Sequence, residues 1–194
     1  MYLMCICSLN FAVSRLTSLL PPQLPDHITE MFAYSIAAAH LSLPHAVAQS
    51  FMVSHTEVET GEGWGLMDDS LDEQDCLNVQ EEDLPHTFHF CQHYGLGKYF
   101  FSKYKLPTDF ISCGAPLLKE PPRNVATLYN YLHKPSGVVV NFKSKKVIRR
   151  SAFAICHIVK LLNEAAEHFK KHHCSAGEAN YNKTLVFHEN MDDT

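Results

Sequence analysis

Apolar positions recur along this chain with two periods, and the pattern predicts two helices flanking a region of short strands. Pro21, Pro22 and Pro25 precede the first helical stretch, where Asp26 can cap a helix over about 27–43. Ile28, Phe32, Ile36, Ala39 and Leu43 mark one face, while Ala33, Tyr34, Ala37 and Leu41 mark the other, so this helix reads as apolar nearly all round and therefore buried. Pro44 closes it. The second helix is predicted from about Lys145 to Lys171. Ile148, Ala152, Ile155, Val159, Leu162, Ala166 and Phe169 alternate steps of four and three, giving a seam that faces the chain's own core rather than a coiled-coil partner. Glu167 and Lys171 are spaced to pair on its outer face.

Between the helices the segments are short. His45–Ser54 reads as a short strand or a turn of helix, and Phe88–Phe90 as a strand. Phe110–Cys113 reads as extended, Thr127–Tyr131 as a helical turn and Val138–Phe142 as a strand. Pro116–Pro122 reads as a proline-bounded linker, and residues 176–194 as a flexible tail. Met1–Leu20 is moderately apolar but interrupted by Arg15, which fits a poor signal sequence, a buried strand-and-helix beginning or a truncated gene start, and it contains no uninterrupted membrane-spanning run.

Composition narrows the class. The 194 residues are 46% hydrophobic with a net charge of −5, as in an ordinary globular protein, and this argues against wholesale nucleic-acid binding. The charge is unevenly distributed. Residues 57–83 carry eleven carboxylates and no lysine or arginine, whereas residues 142–171 are basic. Such segments either face each other or leave the acidic one as a solvated loop. The seven cysteines include no CxxC pair. Cys76, Cys91, Cys113 and Cys174 sit beside loop-like sequence suited to disulfides, while Cys156 falls inside the helical pattern as a buried thiol. Asn182-Lys183-Thr184 is a glycosylation sequon, compatible with the secretory pathway.

Candidate chemistry concentrates in Leu84–Pro122, where His86, His89 and His93 precede Tyr94-Gly95-Leu96-Gly97-Lys98. A metal-binding imidazole next to glycines and a lysine suits a nucleotide diphosphate. The competing reading is hydrogen-bonded structural histidines, and a zinc-structured set of His86, His89, Cys91 and His93 is a further alternative. Trp64, within the glycine-rich run Thr60–Gly65, offers either a face for a sugar ring or a loop anchor. Glu30 is either a first-turn glutamate favoured by the helix dipole or a carboxylate at a cleft. No GxSxG, P-loop, HExxH or GxGxxG occurs, and no Asp-x-Asp follows an apolar strand.

Several blocks together support a family comparison: Glu30–Ala39, His89–Tyr94, Phe101–Phe110, Pro116–Pro122 and Leu161–Ala166. In their order and spacing, over about residues 20–175, they resemble the hydroxyproline O-arabinosyltransferase and peptidyl-serine galactosyltransferase group. The resemblance implies an α/β, GT-A-like fold, of which this chain matches the C-terminal part as a partial domain over 21–175, with an incomplete sheet and a long C-terminal helix. It implies a UDP-sugar donor, a divalent ion such as manganese, and a protein acceptor bearing hydroxyl side chains, in the Golgi or endoplasmic reticulum. Membrane association would come only through the N-terminal segment. By the same carry-over His89 is the metal ligand, Gln92, Gly95 and Lys98 meet the diphosphate, and Glu30 serves the acceptor hydroxyl. At position 93 the family is expected to carry a basic residue such as arginine rather than histidine. The metal-binding Asp-x-Asp half has no counterpart here, which leaves open a non-catalytic interaction or sugar-binding module; the chain would be cytoplasmic if Met1 is the true start and no signal is used.

Overall fold

The computed structural model describes residues 26–44, 51–58, 62–90, 92–133, 138–142 and 144–185, with backbone only at 26–32 and 133. They fall into two compact units, Met1–Ala48 and Gln49–Thr194. The fold is mixed, with small two-stranded ladders and one long helix toward the C-terminus.

In the first unit, helix α1 spans Asp26–His40. It ends before Pro44 because Ser42 turns left-handed, with φ 52°. The Leu43 N–H then closes back on the Ala38 carbonyl at 3.0 Å, which satisfies a carbonyl the helix end would otherwise orphan. The expectation of all-round burial fails. Ala33, Ala37 and Ala38 form the buried stripe, whereas Tyr34, Ile36 and Leu41 are exposed.

The second unit contains β1 (Met52–Val53), α2 (Trp64–Met67), β2 (Thr87–Phe88), β3 (Tyr94–Leu96), β4 (Tyr99–Phe101), β5 (Leu117–Leu118), α3 (Val125–Leu128), β6 (Tyr131–His133), β7 (Val139–Asn141), α4 (Lys145–His173) and β8 (Lys183–Leu185). Helix α4 is its spine. From Arg150 to Cys156 every residue is buried, and beyond that burial narrows to a stripe that includes Val159, Asn163, Ala166 and Lys170. Strands β3, β4 and β5 and helix α3 pack on it. The outer-face pair differs from the one expected, since Glu167 reaches Lys183 at 3.8 Å.

Strands β3 and β4 form an antiparallel hairpin, with Tyr94 opposite Phe101. At its turn Gly97 has φ +61°, and a Cβ there would strike the Tyr129 ring. Only glycine combines that conformation with that approach. The Gly97 N–H donates to the Tyr131 carbonyl at 2.6 Å, joining this hairpin to the β6–β7 pair.

Two sequence expectations are corrected along β5. The segment 116–122 is not a linker, because Leu117 and Leu118 are core residues paired in parallel with β8. Residues 183–185 of the expected tail are that partner strand. On α4, Asn163 completes the strand from the other side: its Oδ1 accepts from the Leu118 N–H at 2.8 Å and its Nδ2 donates to the Leu118 carbonyl at 2.9 Å. A side-chain amide thus stands in for a neighbouring strand. Phe110–Cys113 forms bends rather than a strand. It is held by Lys170, whose ammonium donates to the carbonyls of Ser112, of Cys113 at 3.1 Å and of Ala115 at 2.8 Å. Burial holds the Lys170 ammonium below its usual pKa range.

Two disulfides close this unit, Cys76–Cys156 and Cys113–Cys174, with sequence separations of 80 and 61. Cys156 is therefore not the free buried thiol expected from the helix pattern; it ties α4 to the acidic segment. Crosslinks over loops this long restrict the unfolded chain by about 4 kcal/mol each in the chain-entropy treatment.

Candidate functional site

The two parallel strands β1 and β2 end at Val53 and Phe88, and the chain beyond both ends leads to one cavity. Ligands of open α/β sheets gather beyond the carboxyl ends of strands, where backbone groups and polar side chains leave the pleat. Here Ser54–Glu57 follow β1, and His89–His93 follow β2 and lead into β3. The cavity is about 320 Å³, at the lower end of small-molecule pockets. His55, Thr56, Glu57, Gln92, His93 and Ser151 supply its polar lining, and Tyr94, Phe100 and Phe142 its aromatic part.

The lip is fastened from three sides. The Tyr94 hydroxyl lies 2.8 Å from the Ser54 carbonyl and 3.0 Å from the His89 carbonyl, so one phenol links the ends of both strands. The Glu62 carboxylate accepts from the Ser54 N–H and the Ser54 hydroxyl, each at 2.6 Å, and from the His55 N–H at 3.1 Å. Burial pushes this carboxyl up, but the bonds from Ser54 and His55 outweigh it and hold Glu62 below the ordinary glutamate range. The third fastening is Arg150, 1% exposed, projecting from α4. It donates to the Thr56 and Val58 carbonyls at 3.2 and 2.8 Å and grips Asp68 with two bonds of 2.7 Å. Its guanidinium also lies 5.2 Å from the Trp64 ring centroid. Asp68 is raised by burial but brought below the usual aspartate range by Arg150 and Lys146, the latter at 3.0 Å. The acidic and basic segments therefore face each other here.

Within the lip, the Glu57 N–H donates to His55 Nδ1 at 3.1 Å. That bond makes Nδ1 an acceptor and assigns the proton of the neutral ring to Nε2.

Of the residues singled out in the sequence, Gln92 and Gly95 line the cavity, together with His93. A Cβ on Gly95 would meet the Leu132 side chain and, at 2.9 Å, the Tyr99 carbonyl, so this glycine also answers to close strand packing. His89 is exposed and outside the lining; its N–H donates to the Val53 carbonyl at 2.9 Å. Lys98 sits in the β3–β4 turn with its ammonium 5.8 Å from the Tyr99 ring centroid. Trp64 is 1% exposed, so no face of it is open to a sugar. Its ring packs edge-on to Phe88 and Phe153, and its Nε1 donates to the His55 carbonyl at 3.1 Å. Glu30 belongs to α1 in the other unit, and its side chain lies outside the described residues, as does Cys91.

Sequence reasoning missed His55 and Glu57. Their signal was a Ser-His-Thr-Glu cluster just after an apolar strand, the position where ligand groups are presented. It also missed Asp68 and Arg150, the latter bonded to the Thr56 and Val58 carbonyls on either side of Glu57. Among the described residues, no three His, Cys, Asp or Glu side chains come together to hold a metal ion, and His89 by itself is not a metal centre. Also among the described residues, no helix is long and apolar enough to cross a membrane. Comparison with family models, with curated proteins and with solved structures returned no match.

Proposed function

We propose that this chain carries the C-terminal part of a GT-A-like glycosyltransferase. The enzyme would move a sugar from a UDP-sugar to a hydroxyl of a protein side chain, hydroxyproline or serine, in the secretory pathway. One observation carries the reading. Gln92 and Gly95, which the resemblance sets against the donor diphosphate, share a cavity with two imidazoles and one carboxylate at the ends of parallel strands. Sugar transfer needs hydrogen-bond donors on the departing diphosphate and an acceptor hydroxyl held near a base. Gln92, His93 and His55 are the donor-side groups in this reading. The resemblance gives the acceptor hydroxyl to Glu30; within the cavity itself Glu57 is the carboxylate of the lining. His89 is the ligand this chain would contribute to a manganese ion, whose other ligands lie outside the groups described above. The two disulfides support an oxidising compartment.

UDP binding by calorimetry, with and without manganese, tests the reading. Gln92→Ala and His93→Ala should each weaken UDP by about tenfold, the worth of one hydrogen bond to a charged phosphate. Any response of UDP binding to manganese should be lost in His89→Ala. Equal UDP binding by all three variants and the parent chain would refute the assignment. A carbohydrate ligand held with no response to UDP or manganese would leave a non-catalytic sugar-binding module instead. Glu57→Gln and Glu30→Gln, compared for transfer to a hydroxyproline peptide, decide which carboxylate serves the acceptor.

A further inference from the structure

We infer that Asn182 is a site of N-linked glycosylation. The inference rests on the secretory placement proposed above, but on different residues. Asn182-Lys183-Thr184 is the single Asn-x-Ser/Thr sequence in the chain, and its middle residue is not proline. The structure gives that triplet the context a glycan needs. Asn182 and Thr184 are both exposed, the first immediately before β8 and the second in its middle, and β8 pairs with β5. The fold uses Asn182 through its backbone. Its N–H donates to Asn180 Oδ1 at 3.0 Å, and its carbonyl accepts from the Leu117 N–H at 2.9 Å and the Thr184 N–H at 3.0 Å. None of these bonds involves its side-chain amide, so substitution at Nδ2 breaks none of them. Lys183 is engaged with Glu120 at 2.7 Å. Neither Asn182 nor Thr184 lines the cavity at His55 and His93, so a bulky carbohydrate at this position leaves that cavity open.

The donor would be a polyprenyl-diphosphate-linked oligosaccharide. A bond forms between Asn182 Nδ2 and the anomeric carbon of the first sugar, and the bond from that carbon to the diphosphate oxygen breaks. The diphosphate leaves with the electron pair, the amide nitrogen gives up one proton to a base of the transferase, and nothing is oxidised or reduced. The carbohydrate would cover the β8 edge, next to the half-exposed Tyr181.

The whole chain, directed into the secretory pathway of a eukaryotic cell behind an added signal sequence, provides the test. Most of it should migrate more slowly than Asn182→Gln and collapse to that position on treatment with peptide N-glycosidase. The released peptide should carry a deamidated residue at 182. Thr184→Ala, which keeps the asparagine, should lose the modification as completely as Asn182→Gln. Unmodified Asn182 in secreted chains whose Cys113–Cys174 bond is formed would overturn the inference, as would a glycan that persists in Thr184→Ala. UDP binding measured on the same preparations keeps the two readings apart: Asn182→Gln should bind UDP as the parent does. Failure of both to bind UDP, with the glycan present on the parent, would count against the transferase reading alone.

Discussion

Arg150→Met is the perturbation that bears most directly on how the cavity lip is held. Methionine retains much of the apolar stem but none of the four hydrogen bonds that the guanidinium makes to Asp68, Thr56 and Val58. Removing one member of a buried ion pair typically costs about 3–5 kcal/mol, since the partner charge stays behind without compensation. Here Lys146 remains 3.0 Å from Asp68, and the Asp68 side chain keeps 13% exposure, so the lower end applies, about 3 kcal/mol. The two orphaned carbonyls, Thr56 and Val58, lie at a loop that water can reach once released, which limits their added cost. For a chain of this size a loss of about 3 kcal/mol lowers the melting temperature by roughly 6–12 °C. The assay is urea unfolding with both disulfides intact, run on Arg150→Met, Asp68→Asn and the double variant. Because both single changes break the same pair, the double variant should lose clearly less than their sum. A loss below about 1 kcal/mol in Arg150→Met, or strict additivity in the double variant, would refute this account of the lip.

Three further outcomes follow from the same contacts. Glu62 and Asp68 are both held below their ordinary range, so between the folded and unfolded values the unfolded chain binds more protons. Their contribution is complete above about pH 5 and disappears as the pH falls through the lowered values; an acid-unfolding curve should therefore steepen below about pH 4, and less so in Asp68→Asn. Lys170→Met leaves the Ser112, Cys113 and Ala115 carbonyls without their shared donor and should cost about 3 kcal/mol in urea, whereas Lys171→Met, at an exposed neighbour, should stay within about 0.5 kcal/mol. Paired serine replacement of Cys76 and Cys156 should lower stability by about 4 kcal/mol, measured by thermal unfolding against the parent under non-reducing conditions.

Local pattern was a good guide wherever one stripe of apolar residues sufficed to define an element. The long helix was legible to within two residues of its ends, because its seam from Ile148 to Phe169 has the helical period over many turns. Phe88–Phe90 was read as a strand, and the ladder is Thr87–Phe88; that the stretch to Phe101 also builds the core, with Phe88 and Phe90 stacked at 4.1 Å, came only with the structure. Elements of two or three residues were harder to read. Leu117-Leu118 lies between prolines and carries no period, so only its pairing with β8 and with Asn163 makes it a strand. In α1 the period identified a helix but not its buried side, because small alanines outlined the covered stripe while the larger residues stayed exposed.

The sequence by itself determined the two longer helices and drew attention to the stretch that holds Gln92, His93 and Gly95, because each is written in contiguous residues with a local period or composition. Tertiary structure alone decided the partners. Arg150 meets Asp68 across 82 positions, Tyr94 reaches Ser54 across 40, and Cys76 joins Cys156 across 80. Charge, hydroxyl and thiol carry no information about which distant residue will neutralise, bond or bridge them. That choice falls to the packing of α4 against the strands, which also decides that Trp64 fills the core while His55 and Glu57 line the cavity.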